Sequence, residues 1–163
     1  MIDMLIGEEI INEAMNSWLE KNGFETRIYG LDMDFSWEIG ADLIRYSLVT
    51  IDFSDRAFME YAYELGLIYE IDAFWLSFLH ELGHAETWHL VDEEDMDVPE
   101  SITNCNDYFR LPRETMATEW AVRFINEHSD LVADLSRIVR PAICKFFEMN
   151  DIEEGTLCEE KCI

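Results

Sequence analysis

The chain has 163 residues, a length that suits one domain with a buried core. Its 36 Asp and Glu against 11 Lys and Arg give a formal charge of −25, which repels phosphates and argues against direct DNA or RNA binding. No apolar run approaches the ~20 residues that span a bilayer. The greasiest stretch, Ile71 to Leu79, is interrupted by Asp72. Met1-Ile2-Asp3-Met4 carries no basic segment of a secretory signal, so a soluble, cytoplasmic protein is expected. The charge suits a basic partner or substrate, or a decoy that mimics nucleic acid. The four cysteines, Cys105, Cys144, Cys158 and Cys162, form no CxxC pair and are expected to be reduced thiols.

In chain order, Ile10, Ile11, Ala14, Met15, Trp18 and Leu19 repeat at helical spacing and predict a helix over 7–22. Asn22-Gly23 supplies its C-terminal stop. Phe24 to Tyr29 then reads as a short strand ending at Gly30. Residues 31–37 alternate apolar and polar, as a half-buried strand does. Residues 44–53 are rich in β-formers. These three runs predict a small antiparallel sheet of hairpins. A helix is expected over 56–67 and another over about 71–89. The acidic run Asp92 to Glu100 lacks the residue order of a calcium loop and reads as solvated. Pro112 opens a helix to about Glu127, and a further helix over 130–139 ends at Pro141 or resumes beyond it. With no repeat and no linker, one domain over 1–163 is expected: a core of about 24–127, the N-terminal helix, and a helical C-terminal part with an acidic tail from about 150.

One stretch carries chemistry. Phe78-Leu79-His80-Glu81-Leu82-Gly83-His84 is an H-E-x-x-H pattern on an apolar helix. His80 and His84 lie about 40° apart on the helix, one turn removed, so both rings can reach one metal ion. Glu81 lies about 100° from His80, beside the metal, where a carboxylate can take a proton from a metal-bound water. Phe74, Trp75, Phe78, Leu79, Leu82 and Ala85 form the opposite, core-facing side.

A catalytic zinc usually has a third protein ligand. In the 112–127 helix, Ala117, Trp120, Ala121, Phe124 and Ile125 define the inward face. Glu114 falls inside that stripe, about 60° from Ala117, whereas Glu119 points away at about 200°. A carboxylate in an apolar stripe is costly without a partner, and a metal is a suitable one. Glu114 is therefore the candidate third ligand. Thr118, one turn on, is placed to hydrogen-bond a ligand.

These two segments together, His80-Glu81-Leu82-Gly83-His84 and Glu114-Thr115-Met116-Ala117-Thr118-Glu119-Trp120-Ala121, resemble the gluzincin group of zinc metallopeptidases. They look closest to the small ImmA/IrrE-type cytoplasmic peptidases of bacteria and their phages. The resemblance covers roughly residues 40–127. Glu114 matches that family's ligand position, while Thr118 stands where Asn or Asp is usual. What the resemblance implies is an α+β fold, with a small sheet beside the active-site helix, and cleavage of peptide bonds.

The expected cofactor is one Zn2+ per chain, since two imidazoles and a carboxylate favour zinc over magnesium or calcium. Glu81 is the expected general base. Tyr108, Arg113 and His128, with His89, are candidate donors to the developing oxyanion. An extended peptide or protein substrate, in keeping with the surface a basic one, would add to a strand at 31–37 or 44–53. Two other readings compete. One is a non-catalytic acidic interaction protein on the same scaffold. The other is a structural zinc site closed by Cys105.

Overall fold

The computed structural model describes residues 6–32, 39–40, 43–47 and 53–150. The chain divides into two compact units, residues 1–49 with 130–163, and residues 50–129.

In the first unit, helix α1 (Glu8–Lys21) buries Ile11, Met15, Trp18 and Leu19, one stripe at three- and four-residue spacing. It ends in a Schellman motif. The Phe24 amide donates to the Leu19 carbonyl at 3.0 Å and the Gly23 amide to that of Glu20 at 3.1 Å. Gly23 takes φ +80°, which a side chain would oppose. Strands β1 (Ile28–Asp32), β2 (Ile39–Gly40) and β3 (Leu43–Ser47) form one sheet in the order β1-β3-β2. Asn16 of α1 holds Ile28 as a strand neighbour would. Its Oδ1 accepts from the Ile28 amide at 2.7 Å, and its Nδ2 donates to the Ile28 carbonyl at 3.0 Å. Helix α6 (Ser129–Met149) buries Val132, Leu135, Val139, Ile143, Phe146 and Phe147. The buried Trp18 indole donates to the Leu131 carbonyl at 2.9 Å.

The second unit holds α2 (Phe53–Glu64), α3 (Ala73–Thr87), α4 (Cys105–Phe109) and α5 (Pro112–Glu127). None of its described residues is in a strand. Helix α3 is its centre, with Trp75, Leu76, Phe78, Leu79 and Leu82 almost without exposure. Its main partner is α5, which presents the buried Ala117, Ala121, Val122 and Ile125. Small residues on α5 let the two backbones come close. Gly83 of α3 needs that space, because a Cβ there would lie 2.5 Å from the Ala117 carbonyl oxygen.

Several expectations change. The α+β class with a small antiparallel sheet of hairpins is overturned. The described chain is predominantly helical, with six α-helices. Its strand pairing is confined to short segments of the first unit, and its longest pair, β1 with β3, is parallel. Only the two-residue β2 runs antiparallel. The site helix finds its packing partners within its unit in other helices, so helix-on-helix burial replaces the expected sheet. Gly30 lies inside β1 instead of ending it, beside an irregularity in register. Most of the 31–37 run falls outside the described residues, and the 44–53 run is partly outside them and enters α2 at Phe53. Helix α6 passes through Pro141, an exposed position, although proline lacks the amide that would continue the helical hydrogen bonding. Cys144 is disulfide-bonded, which corrects the expectation of a reduced thiol there, whereas Cys105 is free and exposed. No helix among the described residues is long and apolar enough to cross a membrane.

Candidate metal centre

The two segments that the sequence singles out meet across the α3–α5 contact. Helix α3 brings His80, Glu81 and His84 to one place because i, i+1 and i+4 lie within about 100° of arc. All three are 5% exposed, and Glu114 on α5 is 3% exposed. Glu119 is exposed, as its place on the opposite side of α5 requires. The buried group of His80, Glu81 and His84 could hold a metal ion, since one donor atom from each lies within 4.8 Å of the others.

Distances divide the two carboxylates. Glu114 Oε2 is 3.0 Å from His80 Nε2 and 3.0 Å from His84 Nε2. Glu81 Oε1 is 3.9 Å from His80 Nε2, beyond hydrogen-bond reach. Zinc bonds of about 2.0–2.1 Å in a tetrahedron separate neighbouring ligand atoms by about 3.3 Å. The distances from Glu114 Oε2 to the two imidazole nitrogens are thus close to that ligand-to-ligand spacing. Glu81 Oε1, 3.9 Å from His80 Nε2, stands farther off.

Proton positions follow from the hydrogen bonds. Thr118 Oγ1 donates to the Glu114 backbone carbonyl at 2.9 Å, which uses its only proton. Its oxygen is 2.9 Å from His80 Nδ1, so His80 Nδ1–H donates to it. The other nitrogen, Nε2, then carries a bare lone pair in the neutral ring. That lone pair faces Glu114 Oε2, which is also an acceptor. Two acceptors at 3.0 Å repel unless a cation lies between them, and this donor set of two imidazoles and a carboxylate fits a divalent ion.

Burial and charge push the groups in consistent directions. Burial lowers the His80 pKa and outweighs the raising effect of the nearby Glu114 carboxylate. Burial alone would raise Glu114, but its close contacts with His80 and His84 outweigh that and hold it well below the usual carboxylate range. Neutral imidazole and ionised carboxylate are the forms that ligate metals. Glu81 is pushed well above the usual range, first by burial and then by the Glu114 charge. It is a carboxyl group suited to holding and passing a proton.

The remaining predicted residues separate. Tyr108 reaches the site, but its hydroxyl donates to Glu114 Oε1 at 3.1 Å. Arg113 also reaches it, with Nε 3.3 Å from the same oxygen and Nη1 donating to the Met96 carbonyl. His128 does not. It caps the far end of α5, about 21 Å along the axis from Glu114, and packs against Phe124 with ring centroids 5.1 Å apart. His89 lies in an exposed 3-10 turn after α3. Cys105 is exposed and stands outside the buried group, which does not favour a structural site closed by that thiol.

Three contributors were not foreseen. Phe58 of α2 meets the His80 ring edge-on at 5.0 Å and stacks with Phe109 at 5.1 Å. Tyr61 of α2 shares a 2.7 Å hydrogen bond with Thr115 of α5. Neither has a sequence signal that separates it from ordinary core. Gly83 does have one, because a mid-helix glycine costs about 1 kcal/mol against alanine and calls for a packing reason. Comparisons with family models, with curated proteins and with solved structures find no match to this chain.

Proposed function

We propose that the chain is a zinc-dependent metallopeptidase of the H-E-x-x-H type, with His80, His84 and Glu114 as ligands and Glu81 as general base. The observation that carries the proposal is Glu114 Oε2, placed 3.0 Å from both imidazole Nε2 atoms while Thr118 holds the His80 tautomer. Zinc bound there supplies a Lewis acid for a carbonyl group and lowers the pKa of water toward about 7. The chain's own residues do the rest. Glu81 takes a proton from the attacking water and passes it to the leaving amine. Phe58, buried edge-on against the His80 ring, helps keep bulk water away from the charged groups. A charge of −25 supports a peptide or protein substrate of basic character.

That same charge favours one other reading, an acidic interaction protein that keeps the scaffold without the chemistry. Metal analysis and peptide cleavage by wild type, His80→Ala and Glu81→Gln separate the two. The peptidase reading expects about one zinc per wild-type chain, little in His80→Ala, and zinc without cleavage in Glu81→Gln. Wild-type protein that binds no zinc would overturn it. Full biological function in Glu81→Gln would favour the interaction reading.

A further inference from the structure

The two oxygens of Glu114 have opposite surroundings. Oε2 faces the two histidine Nε2 atoms, one of which is left without a proton by the Thr118 hydrogen bond. Oε1 faces donors only: the Tyr108 hydroxyl at 3.1 Å and Arg113 Nε at 3.3 Å. The guanidinium is itself anchored, since its Nη1 donates to the Met96 carbonyl. Arg113 Nε is buried and makes no aligned hydrogen bond, so its contact with Oε1 is an ion pair and Tyr108 supplies the directed bond. Tyr108 is held in place in turn. It lies in α4, whose first turn is fixed by Asn104 Oδ1 accepting the Asp107 amide at 2.9 Å. Its neighbour Phe109 stacks on Phe58, which packs on His80.

A carboxylate can offer a cation one oxygen or both. Binding through both needs the lone pairs of Oε1 free and its side of the group open. Here a hydroxyl and a guanidinium occupy that side. We infer that Tyr108, assisted by Arg113, is a positioning residue that holds Glu114 in one-oxygen coordination, leaving Oε2 as its sole ligand atom. This rests on the zinc site proposed above. It assigns Tyr108 a task other than donating to an oxyanion. With three protein ligand atoms instead of four, a fourth tetrahedral position stays open, as a catalytic site requires and a structural one does not.

The test uses the full chain and two readouts that need no turnover. Zinc affinity is measured by competition with a chromophoric chelator. Coordination number is read from the visible bands of the Co2+-loaded protein, which weaken as the number rises from four to five. Tyr108→Phe keeps the ring and removes only the hydroxyl. It is expected to bind zinc about 10–100-fold more weakly and to show weakened cobalt bands, with the thermal transition of the metal-free protein unchanged. Affinity within about threefold of wild type overturns the inference, as does an unchanged cobalt spectrum. Should Tyr108→Phe not fold, Arg113→Gln is read in the same way. Wild type that binds no zinc overturns this inference together with the peptidase proposal. Wild type that binds zinc beside an unaltered Tyr108→Phe overturns this inference alone.

Discussion

Thr118 shows how one hydroxyl can decide the chemistry of a neighbour. Its proton goes to the Glu114 carbonyl, so its oxygen must accept from His80. Thr118→Val has nearly the same shape and no hydroxyl. It should weaken zinc binding about 10–100-fold, while Thr118→Ser retains most of the affinity. Chelator competition measures both, and equal affinity in the valine variant would remove Thr118 from the site. Glu81 gives a prediction with a pH dependence. Its pKa in the folded chain is raised above the ordinary 4.5, so the folded state holds this proton more tightly than the unfolded state does. The stability it contributes is therefore full below pH 4.5 and is lost as the pH rises from there toward its folded value. In metal-free protein, Glu81→Gln should be more stable than wild type near neutral pH, and the gap should close in acid. Urea titration at the two pH values checks this, and a gap that widens in acid would contradict it. At this scale the sequence was informative where side chains sit on one helix. The arc between His80 and His84, and the opposed directions of Glu114 and Glu119, follow from 3.6 residues per turn. Contacts from other elements were not legible, since no spacing rule links Phe58 to His80 or Tyr108 to Glu114.

Between elements, the α3–α5 contact sets how far Glu114 stands from the two histidines. Gly83 sits at that contact, facing the Ala117 carbonyl. Gly83→Ala forces a methyl group to within 2.5 Å of a backbone oxygen, which no flexible side chain can relieve. It should cost about 1–3 kcal/mol of stability and also weaken zinc binding, because the helices must move apart. Denaturant unfolding and zinc competition on one sample test the two effects together. An alanine variant as stable as wild type would show that the helices have slack there. Element boundaries were legible where capping chemistry marks them. Pro112 opens α5, and Gly23 with φ +80° closes α1. They were illegible where tertiary burial overrides a local signal. Pro141 left open whether the helix ends or resumes there, and α6 continues because it buries residues on both sides of the proline, Val139 before it and Ile143 after it. The β-rich composition of 44–53 suggested hairpins, but strand composition does not say which neighbour a strand takes. Here β3 lies between β1 and β2 and runs parallel to one of them.

For the whole molecule, a charge of −25 opposes compactness. The Debye length falls from ~30 Å at 0.01 M salt to ~8 Å at 0.15 M, so added sodium chloride should raise the thermal midpoint over that range. A midpoint that falls instead would mean that ion pairs such as Arg110 with Glu64 outweigh the repulsion. The division into two units has a consequence for synthesis. Residues 50–129, which hold every residue assigned to the site, are continuous in sequence. The other unit is not, for Trp18 finds its hydrogen-bond partner at Leu131, after the whole of the second unit has been made. On a ribosome that extends the chain toward its C-terminus, Trp18 of α1 must wait for α6 while the stretch bearing His80, His84 and Glu114 is already complete. The nascent chain thus leaves the apolar stripe of α1 without its α6 partner until Ser129–Met149 emerges, and a chaperone would have that stripe to protect.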